Sequence, residues 1–214
     1  AQDITVQLDA TGNVSITAAQ VDNGSSDNCE TNLSLDVTAF DCTDVGANTV
    51  TLTVSDTDGN SVNTTATVTV EDNEDPTAVA QDITVQLDGT GNVSITAAQV
   101  DNGSADNCTA NLSIDVATFD CTDIGINVVT LTVTDGIGNS VDDIAMVTVE
   151  DNEDPLITCP ADVVVDTDAG LCTASGVNLG SELSSDNCGI ASVVYGSSEA
   201  YGGGSTTVLW TVTD

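Results

Sequence analysis

Apolar and polar residues alternate along most of this chain. From Ile4 to Leu8 and again from Val50 to Val54, every second residue is Ile, Leu or Val. A period of two is typical of strands that bury one face. Thr fills many of the intervening positions, where its β-branched side chain favours extended backbone facing solvent. No helical period is found, so the pattern predicts an all-β chain.

The predicted strands are short and are separated by turns rich in Asp, Asn and Gly. Further alternating segments contain Val14, Ile16 and Ala18; Leu33, Leu35 and Val37; and Val62, Ala66, Val68 and Val70. Strands and turns at this spacing, in a module of this size, predict an immunoglobulin-like β-sandwich. A β-helix solenoid is the structural alternative, but its repeats are much shorter.

The chain contains internal repeats. The segment Ala1–Asp9 recurs residue for residue at Ala80–Asp88, a shift of 79 residues, and a third, diverged copy begins near Cys159. We therefore divide the chain into repeat 1 (residues 1–75), repeat 2 (76–154) and repeat 3 (155–214), arranged as tandem sandwiches in an extended array. The counterparts of Asp214 are Asp56 and Asp135. Repeat 3 is thus expected to lack its last strand, and the 214 residues to belong to a longer array.

The charge balance excludes several classes of function. The chain has 35 acidic residues and no Lys, Arg or His, for a formal charge of −35. Nothing can neutralise a phosphate, so nucleic acids and anionic membranes are not expected partners. No apolar run is long enough to span a bilayer. A Ser triad lacks its base, which leaves only paired carboxylates, and these are typical of turns and linkers here. We expect no enzymatic activity.

The acidic residues are concentrated where one repeat passes into the next. The hexapeptide Glu71–Pro76 returns unchanged as Glu150–Pro155. Strand direction places the loops Asp101–Asn107 and Asp135–Asn139 at the same end of repeat 2 as the first hexapeptide. Carboxylate and amide oxygens from three segments suit Ca²⁺, which takes six to eight oxygen ligands. The interpretation is a calcium site at each joint; the alternative is a solvated acidic hinge with ordinary turn chemistry.

The predicted ligand sets are as follows. At the first joint they are Glu71, Asp72, Asn73, Glu74, Asp75, Asp101, Asp106, Asp135 and Asn139; at the second they are Glu150, Asp151, Asn152, Glu153, Asp154, Asp186, Asn187 and Asp214. Asp56, Asp58 and Asn60 are a further candidate set, similar to the start of an EF-hand loop. Thr67 occupies the position of the bidentate Glu, so an EF-hand is not expected.

The cysteines indicate an oxidising exterior. Repeats 1 and 2 each hold one pair at identical spacing, and we predict the disulfides Cys29–Cys42 and Cys108–Cys121. Repeat 3 holds three cysteines. Alignment at the linker proline places Cys159 where the other repeats have Ala1 and Ala80, so its partner is expected beyond Asp214. A free or intermolecular thiol is the alternative for Cys159.

Repeat 3 resembles the hyalin repeat in the segments Ile157–Pro160, Ala169–Cys172 and Asp186–Gly189. Repeats 1 and 2 are similar to related immunoglobulin-like repeats of very long secreted proteins of Bacteroidetes, in which Asp-Asn-Cys and Val-Thr-Leu-Thr-Val recur. The resemblance implies a Cys172–Cys188 disulfide and a role in adhesion or in a structural stalk at the cell surface. Asp-Asn-Glu-Asp-Pro is also similar to the acidic, calcium-binding linkers of cadherins.

The predicted function is that of a structural repeat region in an extracellular adhesin, stalk or filament with calcium-stiffened joints. Its expected partners are neighbouring repeats of the same chain and identical chains in a fibre. Carbohydrate binding is the main alternative, with Tyr201 as the candidate exposed aromatic, since Phe40, Phe119 and Trp210 are expected in the core. Ice or mineral binding is the other, through rows such as Thr49, Thr51 and Thr53 or Thr65, Thr67 and Thr69.

Overall fold

A computed structural model describes residues 1–214 and confirms the all-β, immunoglobulin-like fold. Contacts divide the chain into two compact units. Unit 1 contains Ala1–Gln81, Thr96–Val116 and Val129–Ala145, and unit 2 contains Asp82–Ile95, Ala117–Val128 and Met146–Asp214. The boundary crosses repeat 2, so the first joint lies within unit 1 and the second within unit 2. The division into three repeats stays a prediction.

Repeat 1 is a sandwich of a four-stranded sheet, in the order β1-β6-β5-β3, and a two-stranded sheet of β2 and β4. Its elements are β1 (Ile4–Gln7), β2 (Asn13–Ser15), α1 (Ala18–Val21), β3 (Thr31–Leu35), β4 (Ala39–Asp41), a 3₁₀ turn (Cys42–Asp44), β5 (Gly46–Asp56) and β6 (Ser61–Glu71). The first strand runs parallel to the last, from Ile4 beside Val68 to Gln7 beside Glu71. The other ladders are antiparallel.

Most of the core of repeat 1 follows the predicted alternation, and Val21 and Phe40 add to it. Both sheets contribute to it, and its buried members are Leu8, Ile16, Val21, Phe40, Val50, Ala66, Val68 and Val70. Burying one such aliphatic side chain contributes about 1.5–3 kcal/mol. Leu52 is also fully buried. Val62, which continues the alternation towards the turn, is 65% exposed instead.

The all-β fold includes one short helix in repeat 1, α1, which no helical period in the sequence indicates. The backbone N–H of Thr17 donates to the side-chain oxygen of Gln20 at 2.7 Å, as in a capping box. The single turn buries Val21 completely. Four residues are too few to show a helical period, which is why the pattern does not reveal them.

Repeat 2 repeats this topology, with strand order β7-β12-β11-β9 and a β8–β10 pair. Its elements are β7 (Ile83–Gln86), β8 (Asn92–Ser94), α2 (Ala97–Val100), β9 (Asn111–Ile114), β10 (Thr118–Asp120), a 3₁₀ turn (Cys121–Asp123), β11 (Gly125–Thr134) and β12 (Ser140–Glu150). Strand β7 is again parallel to β12. Phe119 is buried like Phe40, which confirms the expected core role of both.

Repeat 3 contains only two-stranded ladders. Its strands are β13 (Leu156–Thr158), β14 (Thr173–Ser175), β15 (Leu183–Ser185), β16 (Ser192–Tyr195), β17 (Ala200–Gly202) and β18 (Trp210–Thr213). They pair as β13 with β15, β14 with β17 and β16 with β18. Ala174 is its one buried apolar residue.

Candidate metal centres at the repeat joints

In the first linker (Glu71–Pro76), side chains at the start point alternately to opposite sides, because the alternation of strand β6 continues into it. Gln7 Nε2 donates to Glu71 Oε2 at 2.6 Å, and Asn73 Nδ2 donates to Gln7 Oε1 at 2.7 Å. Glu71 and Asn73 therefore point together towards β1. Asp72, between them, points the other way and is only 7% exposed. Of the predicted ligands in this linker, Asp72 is the one that is buried.

The loop before β9 meets Asp72 through an amide that sequence reasoning had not singled out. Asn107 Nδ2 donates to Asp72 Oδ1 at 3.0 Å and to the backbone carbonyl of Asp9 at 3.2 Å. Asp106 Oδ2 accepts from the N–H groups of Cys108 and Thr109 at 3.0 and 3.1 Å, which fixes the loop. Linker, loop and the β1–β2 turn are thus held together by one side chain.

Three side-chain oxygens at this joint are buried without a hydrogen-bond partner. They are Asp72 Oδ2, Asp106 Oδ1 and Asn107 Oδ1. A buried acceptor without a donor costs about 1–3 kcal/mol, and more when it carries charge. The chain has no Lys, Arg or His that could pair with these carboxylates. The arrangement therefore lacks a positive partner for its oxygens.

Asp135 lies at the same joint, but both of its carboxylate oxygens accept hydrogen bonds from its own turn. Its Oδ1 accepts from the N–H groups of Ile137, Gly138 and Asn139 at 2.8–3.1 Å, and its Oδ2 accepts from Asn139 Nδ2 at 2.7 Å. Burial acts to raise the pKa of Asp135, but these hydrogen bonds outweigh it and hold the pKa below its ordinary value. Asn139 Nδ2 also reaches the carbonyl of Glu74 at 3.3 Å, so the turn contacts the linker as strand direction predicts.

The second joint repeats the first. Asn187 Nδ2 donates to Asp151 Oδ1 at 3.1 Å and to the carbonyl of Asp88 at 3.0 Å. Asp186 Oδ2 and Asn187 Oδ1 are buried without partners. Here three carboxylates also converge, since one oxygen each from Asp151, Asp186 and Asp214 all lie within 4.8 Å of one another. Glu150 and Asn152 hydrogen-bond Gln86, as their counterparts bond Gln7.

The remaining predicted ligands lie elsewhere. Glu74, Asp75, Glu153 and Asp154 are exposed. Asp101 shapes its own loop by accepting from Gly103 and Ser104 at 3.3 and 2.9 Å. Asp56 accepts from the N–H groups of Asp58 and Asn60 and from Asn60 Nδ2, while Asp58 is exposed. The structure does not bring these side chains into the clusters around Asp72 and Asp151, although the N–H groups of Glu74 and Glu153 donate to Asp72 Oδ1 and Asp151 Oδ1 at 3.2 Å.

The disulfides predicted within repeats are wrong. Cys29–Cys42, Cys108–Cys121 and Cys172–Cys188 do not form; instead Cys42 bonds to Cys108 and Cys121 bonds to Cys188, with Cα–Cα distances of 5.5 and 5.2 Å. Each bond connects one repeat to the next. Cys29, Cys159 and Cys172 are free and exposed. A partner for Cys159 beyond Asp214 stays a prediction.

Strand direction explains why Cys29 and Cys42 cannot meet. Cys42 lies at the outgoing end of repeat 1, which we define as the end that leads into repeat 2, and its Sγ is 3.6 Å from the carbonyl of Gly12. Cys29 follows α1 at the opposite, incoming end, where Gln2 N–H donates to the carbonyl of Val21. Strands of 11 residues separate the ends, a span of roughly 30 Å at 3.3 Å per residue. A disulfide needs Cα atoms within about 7 Å.

Two glycines allow the repeats to approach at the disulfides. Gly12 has φ +72°, and a Cβ there would lie 2.6 Å from both Asn107 O and Cys42 Sγ. Gly91, with φ +74°, has the same surroundings at the second joint, 2.6 Å from Cys121 Sγ and 2.8 Å from Asn187 O. The positive φ and the lack of space both require glycine. The disulfide and the Asn amide therefore belong to one closely packed contact.

The similarity between this chain and known proteins is weak. No protein-family model and no curated protein matches the sequence. Among solved structures, the chain is similar to human mucin-like protocadherin EC1-2, with 15% identity over 70% of this chain and 96% of that one and a TM-score of 0.36. It is also similar to human protocadherin-24 EC1-2, with 14% identity over 71% and 95% and a TM-score of 0.34. A third similarity is to the fibronectin(III)-like modules of Clostridium thermocellum CbhA, with 12% identity over 70% and 90% and a TM-score of 0.27. We draw no functional conclusion from them. None of the helices has the length and apolarity of a membrane-spanning segment.

Proposed function

We propose that each joint binds Ca²⁺ and that the chain is a structural run of repeats in an extracellular protein. The observation that carries the proposal is the set of buried oxygens without partners, which are Asp72 Oδ2, Asp106 Oδ1 and Asn107 Oδ1 at the first joint and Asp186 Oδ2 and Asn187 Oδ1 at the second. Cations satisfy such oxygens, and no cationic side chain exists in the chain. One ion at each joint would neutralise the carboxylates that otherwise repel one another.

The donor set favours calcium among the metals. All candidate ligands offer oxygen, from carboxylates and an amide, and the nearest cysteines are consumed in disulfides. Hard oxygen donors in an irregular arrangement suit Ca²⁺ better than Mg²⁺, which demands near-octahedral geometry. Asp72, Asp106 and Asn107 would hold the ion at the first joint, and Asp151, Asp186, Asn187 and Asp214 at the second.

The residues around each site act as a scaffold. Asn107 ties the linker carboxylate to the β1–β2 turn, and the Cys42–Cys108 disulfide holds the loop that carries Asp106. With these contacts made, the oxygens are preorganised before a cation arrives. The result is a joint that is covalent, metal-dependent and short, which suits a protein that must hold its repeats in a fixed relation.

The setting that fits this chemistry is extracellular. Disulfides persist in oxidising compartments, and a chain with a formal charge of −35 needs cations or salt to offset its self-repulsion. We assign the chain to the repeat region of a surface adhesin, stalk or filament, with neighbouring repeats as its partners and with identical chains as partners in a fibre. The hyalin-repeat resemblance agrees with this assignment, and no catalytic role is proposed.

Calcium titration of the oxidised chain tests the proposal. Isothermal titration of the metal-free protein should show binding that the double variant Asp72→Asn/Asp151→Asn weakens at least about tenfold, because each substitution removes a charged ligand. The matched control, Asp162→Asn/Asp166→Asn, removes the same charge from exposed positions of repeat 3 and should bind as the parent does. Equal weakening in both variants would show general counter-ion attraction instead of built sites.

Carbohydrate binding is a second candidate because of one aromatic pair. Tyr195 is 48% exposed and stacks on Trp210 with ring centroids 4.3 Å apart. Tyr201, the predicted candidate, is partly buried and accepts a hydrogen bond from Ser198 N–H at its hydroxyl. On a glycan array, Tyr195→Ala should abolish binding if this pair is a sugar platform, whereas Tyr201→Ala should have little effect. Absence of binding by the parent chain would remove this candidate.

The threonine rows give no comparable support for ice or mineral binding. In repeat 1, Thr49 lies beside Thr67 and Thr51 beside Thr65 across the β5–β6 ladder. The corresponding positions in repeat 2 include Val128, Ile144 and Met146, which are exposed. The row therefore does not continue from one repeat to the next, as a periodic lattice would require.

A further inference from the structure

The incoming end of repeat 1 resembles the incoming ends of repeats 2 and 3, each of which contacts the repeat before it. Asp27-Asn28-Cys29 has the same sequence as Asp106-Asn107-Cys108 and Asp186-Asn187-Cys188. In all three, the Asp side chain accepts from the N–H of the Cys, at 3.4, 3.0 and 2.8 Å. The two later cysteines are bonded to the preceding repeat, whereas Cys29 is free and exposed.

The loops around Cys29 already have the form seen at the occupied joints. Asp22 accepts from the N–H groups of Gly24 and Ser25, as Asp101 does from Gly103 and Ser104. Asp56 accepts from the N–H of Asn60 and from its amide, as Asp135 does from Asn139. The receiving half of a joint is therefore formed before a partner is present.

The occupied joints define what the partner must offer. At the first joint, repeat 1 contributes Cys42, the carbonyl of Asp9, the carboxylate of Asp72 and the close approach of Gly12. Repeat 2 contributes the same four groups to the second joint. Two independent occupied copies within one chain thus specify the same complementary surface.

We propose that Cys29 and the loop around it form a docking site for a further repeat of this kind, joined ahead of Ala1 on the same polypeptide. The Cys-Thr-Asp turn of that repeat supplies the sulfur that bonds to Cys29, and its linker Asp accepts from the Asn28 amide. The proposal extends the tandem-array part of the proposed function. It does not require calcium, because it rests on the disulfide pattern.

The bond forms by thiol–disulfide exchange with oxidised glutathione. One cysteine thiolate attacks the glutathione disulfide and releases one glutathione. The second cysteine then attacks the mixed disulfide and releases the other. Two cysteine thiols are oxidised to one protein disulfide, and oxidised glutathione is reduced to two glutathione thiols, which carry the two protons.

The test adds a copy of residues 1–79 directly ahead of Ala1 in the full chain. The added Cys42 then precedes Cys29 by 66 residues, the separation found for Cys42 and Cys108. After refolding in glutathione buffer with a chelator, Cys29 should be at least about tenfold more disulfide-bonded than free. Three thiols should remain free, as in the parent; without docking, the two added cysteines would raise the number to five.

Peptide mapping of the disulfides must use the proteases Glu-C or Asp-N, since the chain has no Lys or Arg at which trypsin could cut.

Two control extensions carry Cys42→Ser or Gly12→Ala in the added copy only. The first should leave Cys29 free, and the second should slow its oxidation by crowding the contact. Cys29 that stays reduced while Cys42–Cys108 forms, or that bonds to a separate chain, would overturn the proposal. Calcium titration of the same protein after the chelator is removed reports separately on the metal sites.

Discussion

Repeats 1 and 3 are diverged copies in the sequence and differ in structure. Repeat 1 encloses the core of Leu8, Ile16, Val21, Phe40, Val50, Ala66, Val68 and Val70, whereas repeat 3 buries Ala174 alone among its apolar residues. In the alignment at the linker proline, the segment Asp162–Val165 corresponds to β1 (Ile4–Gln7), yet it forms no strand, and Val164 is 95% exposed.

In repeat 1, the last strand, β6, completes the sandwich. Strand β6 carries Ala66, Val68 and Val70 of the core and is the parallel partner of β1. The segment of repeat 3 that corresponds to β1 belongs to no ladder among residues 155–214. A run of β-branched residues such as Val163–Val165 is therefore not sufficient for a strand, because the backbone must also find a neighbour.

The largest expected effect of this difference is on hydrogen exchange. Amides of Val50 and Val68 lie in the central ladder of repeat 1, while those of Val163 to Val165 have no ladder. We expect exchange in the central ladder to be slower by about a thousandfold or more, as for core strands against open segments. Mass spectrometry after exchange measures both regions in one sample. Equal protection would show that Val163 to Val165 are hydrogen-bonded after all.

A matched pair of leucine truncations should separate the two repeats next. Leu52 is fully buried, and Leu52→Ala should cost about 2–5 kcal/mol of unfolding free energy for lost burial and a cavity. Leu183 is 78% exposed, and Leu183→Ala should stay within about 0.5 kcal/mol. Denaturant unfolding monitored by far-ultraviolet circular dichroism measures the free energy of unfolding of both variants. A large loss for Leu183→Ala would reveal a core in repeat 3 that the structure does not contain.

Glycine substitutions should give a smaller difference. Gly12→Ala forces a side chain into a positive φ and into contact with Asn107 and Cys42, which we expect to cost about 2 kcal/mol. Gly203 has open space around its Cα, and Gly203→Ala should be near neutral. Thermal unfolding of the oxidised proteins compares them. Similar costs would mean that the packing at Gly12 can relax.

The smallest effect concerns pH. Hydrogen bonding from Thr51 lowers the pKa of Asp36 below its ordinary value of 3.8. A folded pKa below the unfolded one stabilises the fold above pH 3.8, and this stabilisation is lost as pH falls through the lowered pKa. Asp36→Asn should therefore flatten the acid limb of the stability profile. The control Thr65→Ser, exposed on the same sheet, should leave that limb unchanged; an unchanged limb in Asp36→Asn would contradict the assignment.

Sequence reasoning succeeded where periodicity decides the structure. Alternation predicted β5 and β6, and strand direction correctly placed Asp135–Asn139 beside Glu74. The same period of two puts the side chain of Asp72 on the opposite side from those of Glu71 and Asn73, although composition alone made all three equivalent candidate ligands. This alternation can be deduced from the sequence. The hydrogen bonds of Glu71 and Asn73 to Gln7 cannot, because they join residues 64 and 66 positions apart.

The disulfides show where sequence reasoning failed. Nearness in the chain favoured Cys29 with Cys42, but those residues end up at opposite ends of the repeat. Strand direction, which had placed the loop before Cys108 at the linker, would have placed Cys42 beside it. The role of Asn107 was harder to foresee, because its value lies in two acceptors, Asp9 O and Asp72 Oδ1, brought together only by folding.

The two disulfides also determine which segments would carry a mechanical load. Force applied between Ala1 and Asp214 passes through the sulfur bridges and bypasses the backbone that they enclose, with sequence separations of 66 and 67 residues. At about 3.5 Å per extended residue, each bridge hides roughly 230 Å of contour length. Strands β5 and β6, which hold the core of repeat 1, lie inside the first enclosed segment. Tension on the chain therefore cannot lengthen it by unravelling those strands while the bridges are intact.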